Sequence, residues 1–179
     1  MKSIIKQFRF PLLSLAITTA SILLVLSGFK TVHTQKTKES KGVNWYEFQE
    51  GYDLAVKESK PLLIDMYTDW CGYCRKMDKT TYSNARVVEL INNHFIAVKF
   101  NPEKNGKFAV GKKIMTHTEL KYWLGNGKAY GYPTTYFWME PYKNQKITLE
   151  LGYKDKKEFI NILENYLGIG PDSTSIDTD

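Results

Sequence analysis

Leu62-Leu63-Ile64-Asp65-Met66-Tyr67-Thr68-Asp69-Trp70-Cys71-Gly72-Tyr73-Cys74-Arg75-Lys76-Met77 is the stretch that decides the fold. Its first six residues form a nearly continuous apolar run, the pattern of a central strand buried on both faces. After Cys74 the apolar spacing becomes helical through Met77. The two cysteines therefore stand where a buried strand hands over to a helix. Unpaired backbone N–H groups and the dipole at a helix start favour an anion, so Cys71 is expected to ionise more readily than a free thiol. The thiolate is the attacking species in disulfide exchange. Cys74 lies about one helical turn further along the same face, within reach of a mixed disulfide formed at Cys71. Arg75 and Lys76 add local positive charge. On this reading Cys71 is the nucleophile and Cys74 the resolving thiol.

Rival chemistries fit the same residues less well. The chain has only two Cys, too few for a disulfide-stapled scaffold. A structural zinc site needs about four ligands, and His33, His94 and His117 are not at ligand spacing from the pair. Covalent haem wants a histidine directly after the second Cys, where Arg75 stands. A purely structural disulfide across so short a loop gains little closure entropy. Thiol–disulfide chemistry is favoured, with no metal and no organic cofactor.

Outward from this centre, Asn44 can cap a helix carrying Trp45, Phe48, Tyr52, Ala55 and Val56, which Lys60-Pro61 ends. Ser83 offers a second cap before Val87, Val88, Leu90 and Ile91, and Phe95 to Phe100 reads as a second strand. Asn101 to Lys128 is Lys-rich and Gly-punctuated, with a short helix around Thr118 to Leu124; its lysines suit a solvated loop and helix face better than an acidic-partner site. Thr134 to Met139 and Lys146 to Leu151 read as strands joined through Glu140-Pro141-Tyr142-Lys143-Asn144. A last helix opens at Asp155, where Glu158 completes a capping-box pattern. The expected architecture is α/β: a mixed four- to five-stranded sheet with helices on both faces, its long crossovers joining parallel strands and its closing hairpin antiparallel.

The ends of the chain carry separate signals. Lys2, Lys6 and Arg9 precede an uncharged run from Phe10 to Phe29, close to the roughly 20 residues that span a bilayer. Residues 1–30 are expected to be a signal peptide or signal anchor; the run exceeds a typical signal core and lacks an Ala-x-Ala site, which favours the anchor. Residues 31–42 read as a polar linker, 43–168 as the folded domain and 169–179 as a disordered tail. The net charge is +6, but residues 1–30 contribute four of those charges and no acid, which argues against a nucleic-acid partner.

The segment Trp70-Cys71-Gly72-Tyr73-Cys74-Arg75-Lys76-Met77, following Leu63-Ile64-Asp65-Met66-Tyr67, resembles the thioredoxin superfamily, and most closely its exported branch similar to the C-terminal domain of DsbD. Met77-Asp78-Lys79-Thr80-Thr81-Tyr82-Ser83-Asn84 resembles that branch's second helical segment. The resemblance spans roughly Val43 to Leu167 and implies the thioredoxin-like fold and a protein-disulfide oxidoreductase. It implies that Asp65 is the buried acid that moves protons to and from the resolving thiol, with Lys99 as its ionic partner. A carboxylate in a buried strand is in any case costly unless paired or functional; the alternatives are a strand-end Asp65 reaching solvent and a Lys99 facing water. Tyr132-Pro133-Thr134 resembles the family's cis-proline loop, with Pro133 and the Tyr132 backbone shaping a groove for an extended peptide. Trp70 and Tyr73 join this substrate-binding set, Trp70 by packing beside Cys71 or in the core. Gly72-Tyr73 replaces the family's usual Gly-Pro and is shared with isomerases of the DsbC type, which leaves the direction of electron flow open. The implied partners are protein thiols and disulfides and an upstream thiol electron donor or acceptor. The implied location is the periplasm or cell envelope, membrane-anchored or secreted. A function of another class is a non-catalytic thioredoxin-fold binding module or holdase.

Overall fold

The computed structural model describes residues 42–143 and 147–170, all within one compact unit. The chain runs through β1 (Trp45–Glu47), α1 (Phe48–Glu58), β2 (Leu62–Met66), α2 (Gly72–Thr80), α3 (Ala85–His94), β3 (Ile96–Phe100), β4 (Lys107–Val110), β5 (Lys113–Thr116), α4 (His117–Leu124), β6 (Thr134–Trp138), β7 (Thr148–Leu151) and α5 (Lys156–Leu167). Five strands form one sheet in the order β1-β3-β2-β6-β7, with β4 and β5 as a separate hairpin. β2 is buried at every residue, as its unbroken apolar run predicts. It is parallel to β3 and antiparallel to β6, and β7 closes the sheet antiparallel to β6.

Strand alternation divides the core between the two faces. Leu62, Ile64 and Met66 pack with Phe48, Tyr52 and Ala55 of α1, Leu120 and Leu124 of α4, and Val110 and Met115 of the hairpin. Leu63 points the other way, among Met77 of α2, Val87, Leu90 and Ile91 of α3, and Phe159 and Leu163 of α5. Each fully buried aliphatic or aromatic side chain contributes about 1.5–3 kcal/mol. On this second face Arg86 of α3 donates to the buried Glu164 of α5 at 3.0 Å, tying the two helices together. The expected mixed sheet with helices on both faces is thus the observed one, with five strands.

Local departures have identifiable causes. The first helix starts at Phe48, not after Asn44, because Trp45–Glu47 pairs in parallel with β3 as an edge strand. Asn44 instead donates its backbone N–H to Asn92 Oδ1. Asn84, rather than Ser83, caps α3, accepting from the N–H groups of Arg86 and Val87; the Ser83 hydroxyl bonds back to the Lys79 carbonyl. Asp155 caps α5 through the Glu158 N–H, while the Glu158 carboxylate takes Lys154. The expected turn at Glu140 holds a short 3-10 helix, Pro141–Lys143. Within Asn101 to Lys128 the hairpin β4–β5 was not foreseen, though α4 matches the expected short helix and starts one residue earlier, behind a capping box of Thr116 and Glu119. The expected leader, most of the linker and the tail beyond residue 170 lie outside the described residues; among those described, no helix is long and apolar enough to cross a membrane.

One close approach sets how tightly α1 packs. A Cβ placed on Gly51 would lie 2.3 Å from Val98 Cγ2 of β3, far inside contact distance. Gly51→Ala is therefore expected to destabilise the domain by about 1–3 kcal/mol despite alanine's better helix propensity. Urea unfolding measures this, and an unchanged midpoint would show that α1 does not press on β3.

Candidate active site

Cys71 and Cys74 are joined as a disulfide at the start of α2. Cys71 occupies the N-cap, and its Sγ accepts the Cys74 backbone N–H at 3.1 Å. The turn is set by the handover from β2: the Cys71 N–H donates to the Thr68 carbonyl and the Arg75 side chain donates to the Asp69 carbonyl. Both sulfur residues are almost fully buried, at 5% and 3% exposure, whereas the flanking Trp70 and Tyr73 are 65% and 64% exposed. Trp70 is thus no core residue. Its indole N–H donates to both carboxylate oxygens of Glu103, and its ring meets Tyr132 edge-on at 5.6 Å.

The second loop arrives from β6. The Tyr132–Pro133 peptide is cis, as the resemblance implied, and the Gly152 N–H donates to the Pro133 carbonyl. The Tyr132 hydroxyl accepts from Lys121 of α4 at 2.8 Å. The Tyr132 backbone makes no hydrogen bond among the described residues, so its N–H and carbonyl are open to a partner.

Asp65 lies on the α2 face of β2, aligned with Lys99 in the parallel register of β3. Lys99 Nζ donates to Asp65 Oδ2 and also to Asp78 Oδ1, and Asp78 stands one turn beyond Cys74 on α2. The rings of Trp45, Tyr82 and Tyr67 surround the ammonium at 4.6, 5.1 and 5.4 Å. Neither a solvent-facing Lys99 nor a solvent-reaching Asp65 survives this geometry. Asp65 Oδ1 is buried without a hydrogen-bond partner. Burial raises the Asp65 pKa above the ordinary carboxylate value; Lys99 offsets part of this, and the negative Asp78 adds to it. Burial pulls Lys99 down, but Asp65 and Asp78 outweigh it and hold its pKa above the usual lysine value. Tyr82, whose hydroxyl meets Thr135 Oγ1 at 3.3 Å, is pushed up by burial and then by the charge of Asp65. The cluster holds one cation and two acids, an arrangement able to store and release a proton at Asp65.

The structure therefore gathers the predicted residues into two neighbourhoods: Cys71, Cys74, Trp70, Tyr73, Tyr132 and Pro133 around the disulfide turn, and Asp65 with Lys99 beneath the same helix. Sequence reasoning missed Glu103, Asp78 and Tyr82, which reach the site only through tertiary contacts; a local signal existed for Asp78 alone, at the i+4 position from Cys74. No group of three or more metal-ligating side chains occurs among the described residues.

A five-stranded mixed sheet, a Cys-x-x-Cys disulfide at a helix start and a cis-proline loop define a thioredoxin-fold protein. Residues 29–164 match the Thioredox_DsbH family, described as "Protein of unknown function, DUF255", and the chain belongs to that family. A solved structure titled "DsbH Oxidoreductase" superposes with a TM-score of 0.54 at 16% identity, over 81% of this chain and 98% of that one. The chain is 31% identical to Spermatogenesis-associated protein 20 of Rattus norvegicus over 78 residues, covering 43% of this chain and 10% of the relative. It is 26% identical to the thiol:disulfide interchange protein DsbD of Yersinia pestis (strain Pestoides F) over 112 residues, covering 63% of this chain and 17% of the relative. The matched region is thus a small part of these longer relatives. Together these place the chain in the thioredoxin superfamily with a relationship to DsbD.

The raised Asp65 pKa has a defined sign in stability. The folded state holds this proton more tightly than the unfolded chain, so its contribution is greatest below the unfolded carboxylate pKa, near 4, and declines as pH rises through the folded value, with a slope of at most about 1.4 kcal/mol per pH unit. Urea midpoints measured across pH should show this decline in the native chain and lose it in Asp65→Asn. An identical profile in the variant would refute a perturbed Asp65.

Proposed function

We propose that the chain is a thiol–disulfide oxidoreductase that acts on protein disulfides outside the cytoplasm, as a reductase or exchange catalyst. The observation that carries this reading is the Cys71–Cys74 pair at the start of α2, with Cys71 Sγ already accepting a backbone N–H. In the reduced form the same N–H and the helix dipole favour a negative sulfur at Cys71. That thiolate attacks a substrate disulfide; a bond forms between Cys71 and one substrate sulfur, and the other substrate sulfur leaves as a thiolate. Cys74 gives up its proton and attacks the Cys71 sulfur, forming the internal disulfide and releasing the second substrate thiolate. Two electrons pass to the substrate, and an upstream dithiol protein restores the reduced pair. In isomerase-type exchange a thiolate of the same substrate instead attacks the mixed disulfide, forming a new substrate disulfide and releasing Cys71 as the thiolate, with no net electron transfer.

Asp65, as the carboxylate, accepts the Cys74 proton, and Lys99 positions it and balances its charge. Tyr132 and Pro133 supply the backbone edge against which a substrate segment lies, and Trp70 and Tyr73 provide exposed rings beside the sulfurs. The folded domain is assigned to residues 43–168, held by the linker 31–42 behind a leader at residues 1–30 that anchors the chain in the membrane or is removed after export.

Two experiments test this. Reduction of insulin disulfides should fall to the uncatalysed level in Cys71→Ser, while Cys74→Ser should accumulate a mixed disulfide at Cys71, visible by mass spectrometry; full reduction in Cys71→Ser would refute Cys71 as the nucleophile, and a native chain that binds substrate but reduces no faster than the uncatalysed rate would leave only a binding module. Expressed with its leader, the chain should appear in the membrane fraction with an intact N-terminus, or outside the cytoplasm with a shortened one. A full-length chain soluble in the cytoplasm contradicts export.

A further inference from the structure

The disulfide turn is flanked by an aromatic pair on each side, and of these four rings only Tyr153 has not been given a role. On one side Trp70 abuts Tyr132, with Glu103 holding the indole and Lys121 the phenol. On the other, Tyr73, between the two cysteines, faces Tyr153 at 6.3 Å. Tyr153 is held to the same helix, α2: Lys76 Nζ sits 4.4 Å from its ring centroid, and its hydroxyl meets Thr80 Oγ1 at 3.1 Å. Tyr153 follows Gly152, whose N–H holds the Pro133 carbonyl, so both walls connect to the cis-proline loop.

Along that loop lies a shallow pocket of about 190 Å³, lined by Tyr132, Pro133, the half-exposed Leu151 and Gly152 among others. Cofactor and drug-sized ligand sites run to roughly 300–1,000 Å³, so this one suits a single side chain rather than an organic cofactor. The unpaired Tyr132 backbone beside it offers a donor and an acceptor to an extended chain. Around the turn the cations Arg75, Lys76 and Lys121 face two exposed acids, Asp69 and Glu103, and the balance favours a negative occupant toward the lysines of the two aromatic pairs.

We propose that Tyr153 is a specificity-determining residue, and that the preferred substrate is an extended polypeptide segment with a bulky apolar side chain next to its reactive cysteine and acidic side chains further out. This rests on the exchange activity proposed above. A ring already immobilised by Lys76 and Thr80 loses little freedom when a substrate side chain packs on it, so the contact appears as rate.

The test uses the fully reduced protein in single-turnover reactions with symmetric disulfides of short peptides. In these the cysteine is flanked by Phe or Gly, with Glu or Lys at the outer positions. An aromatic contact of this kind corresponds to about a fivefold rate advantage, so the Phe/Glu peptide should react about fivefold faster than Gly/Glu and also faster than Phe/Lys. In Tyr153→Ser the Phe-to-Gly ratio should fall toward one. Tyr153→Leu, which keeps apolar bulk but loses the Thr80 bond, should give an intermediate ratio and guards against a serine variant that does not fold. Equal rates for Phe and Gly peptides in the native chain, or a ratio unaltered in both variants, overturns the assignment of Tyr153. A faster Phe/Lys peptide overturns the acidic preference. No exchange with any peptide overturns the underlying oxidoreductase reading itself.

Discussion

A carboxylate placed on a strand that is buried on both faces must be answered by its neighbours, and much of this domain is arranged around that requirement. Asp65 cannot reach water, so β3 brings Lys99 to the aligned position of the parallel pair, and α2 brings Asp78 to the same ammonium. Lys99 in turn is roofed by Trp45 of β1 and by Tyr67 and Tyr82. A charge pair at this depth is a poor source of stability, because desolvation consumes most of the attraction. The pair lies on β2 and β3 beneath the helix that carries the cysteines, and it leaves Asp65 Oδ1 without a hydrogen-bond partner, the oxygen that the proton transfer proposed for Asp65 would use.

The same arrangement separates the residues of the proposed chemistry from those of the proposed recognition. Sulfur and carboxylate lie inside, where a low dielectric magnifies each charge. The rings of Trp70 and Tyr73 lie outside, where they can meet another molecule. The cis Tyr132–Pro133 peptide lies beside both, with Tyr132 meeting Trp70 edge-on and Gly152 holding the Pro133 carbonyl.

How far this was legible in the sequence follows the range of the interactions involved. β2 announced itself because a strand buried on both faces must be apolar throughout, and the cysteines did so because their spacing on one helix is a local fact. Pro133 and Asp65 were found through resemblance, since neither a cis bond nor a buried acid leaves a periodic trace. The hairpin β4–β5 escaped because its short strands do not alternate between apolar and polar: Phe108, Ala109 and Val110 run together, and the apolar Ile114 is exposed beside the buried Met115. β1 was read as helix because Trp45 falls at helical spacing from Phe48, and only pairing with a strand some fifty residues later overrides that local pattern. Glu103, Tyr82 and Tyr153 became visible only once separate loops were brought together.

The position of β1 has a mechanical consequence. The described chain begins at Gly42, whose carbonyl accepts from Asn92, and Asn92 also takes the Asn44 N–H before β1 engages β3 over three residues. A pull on Gly42 is therefore carried by its Asn92 contact and by the short parallel ladder, both in series with the tryptophan that shields the buried ammonium. Strain sufficient to peel the first strand would let solvent reach the ionic cluster while the central strands stayed paired.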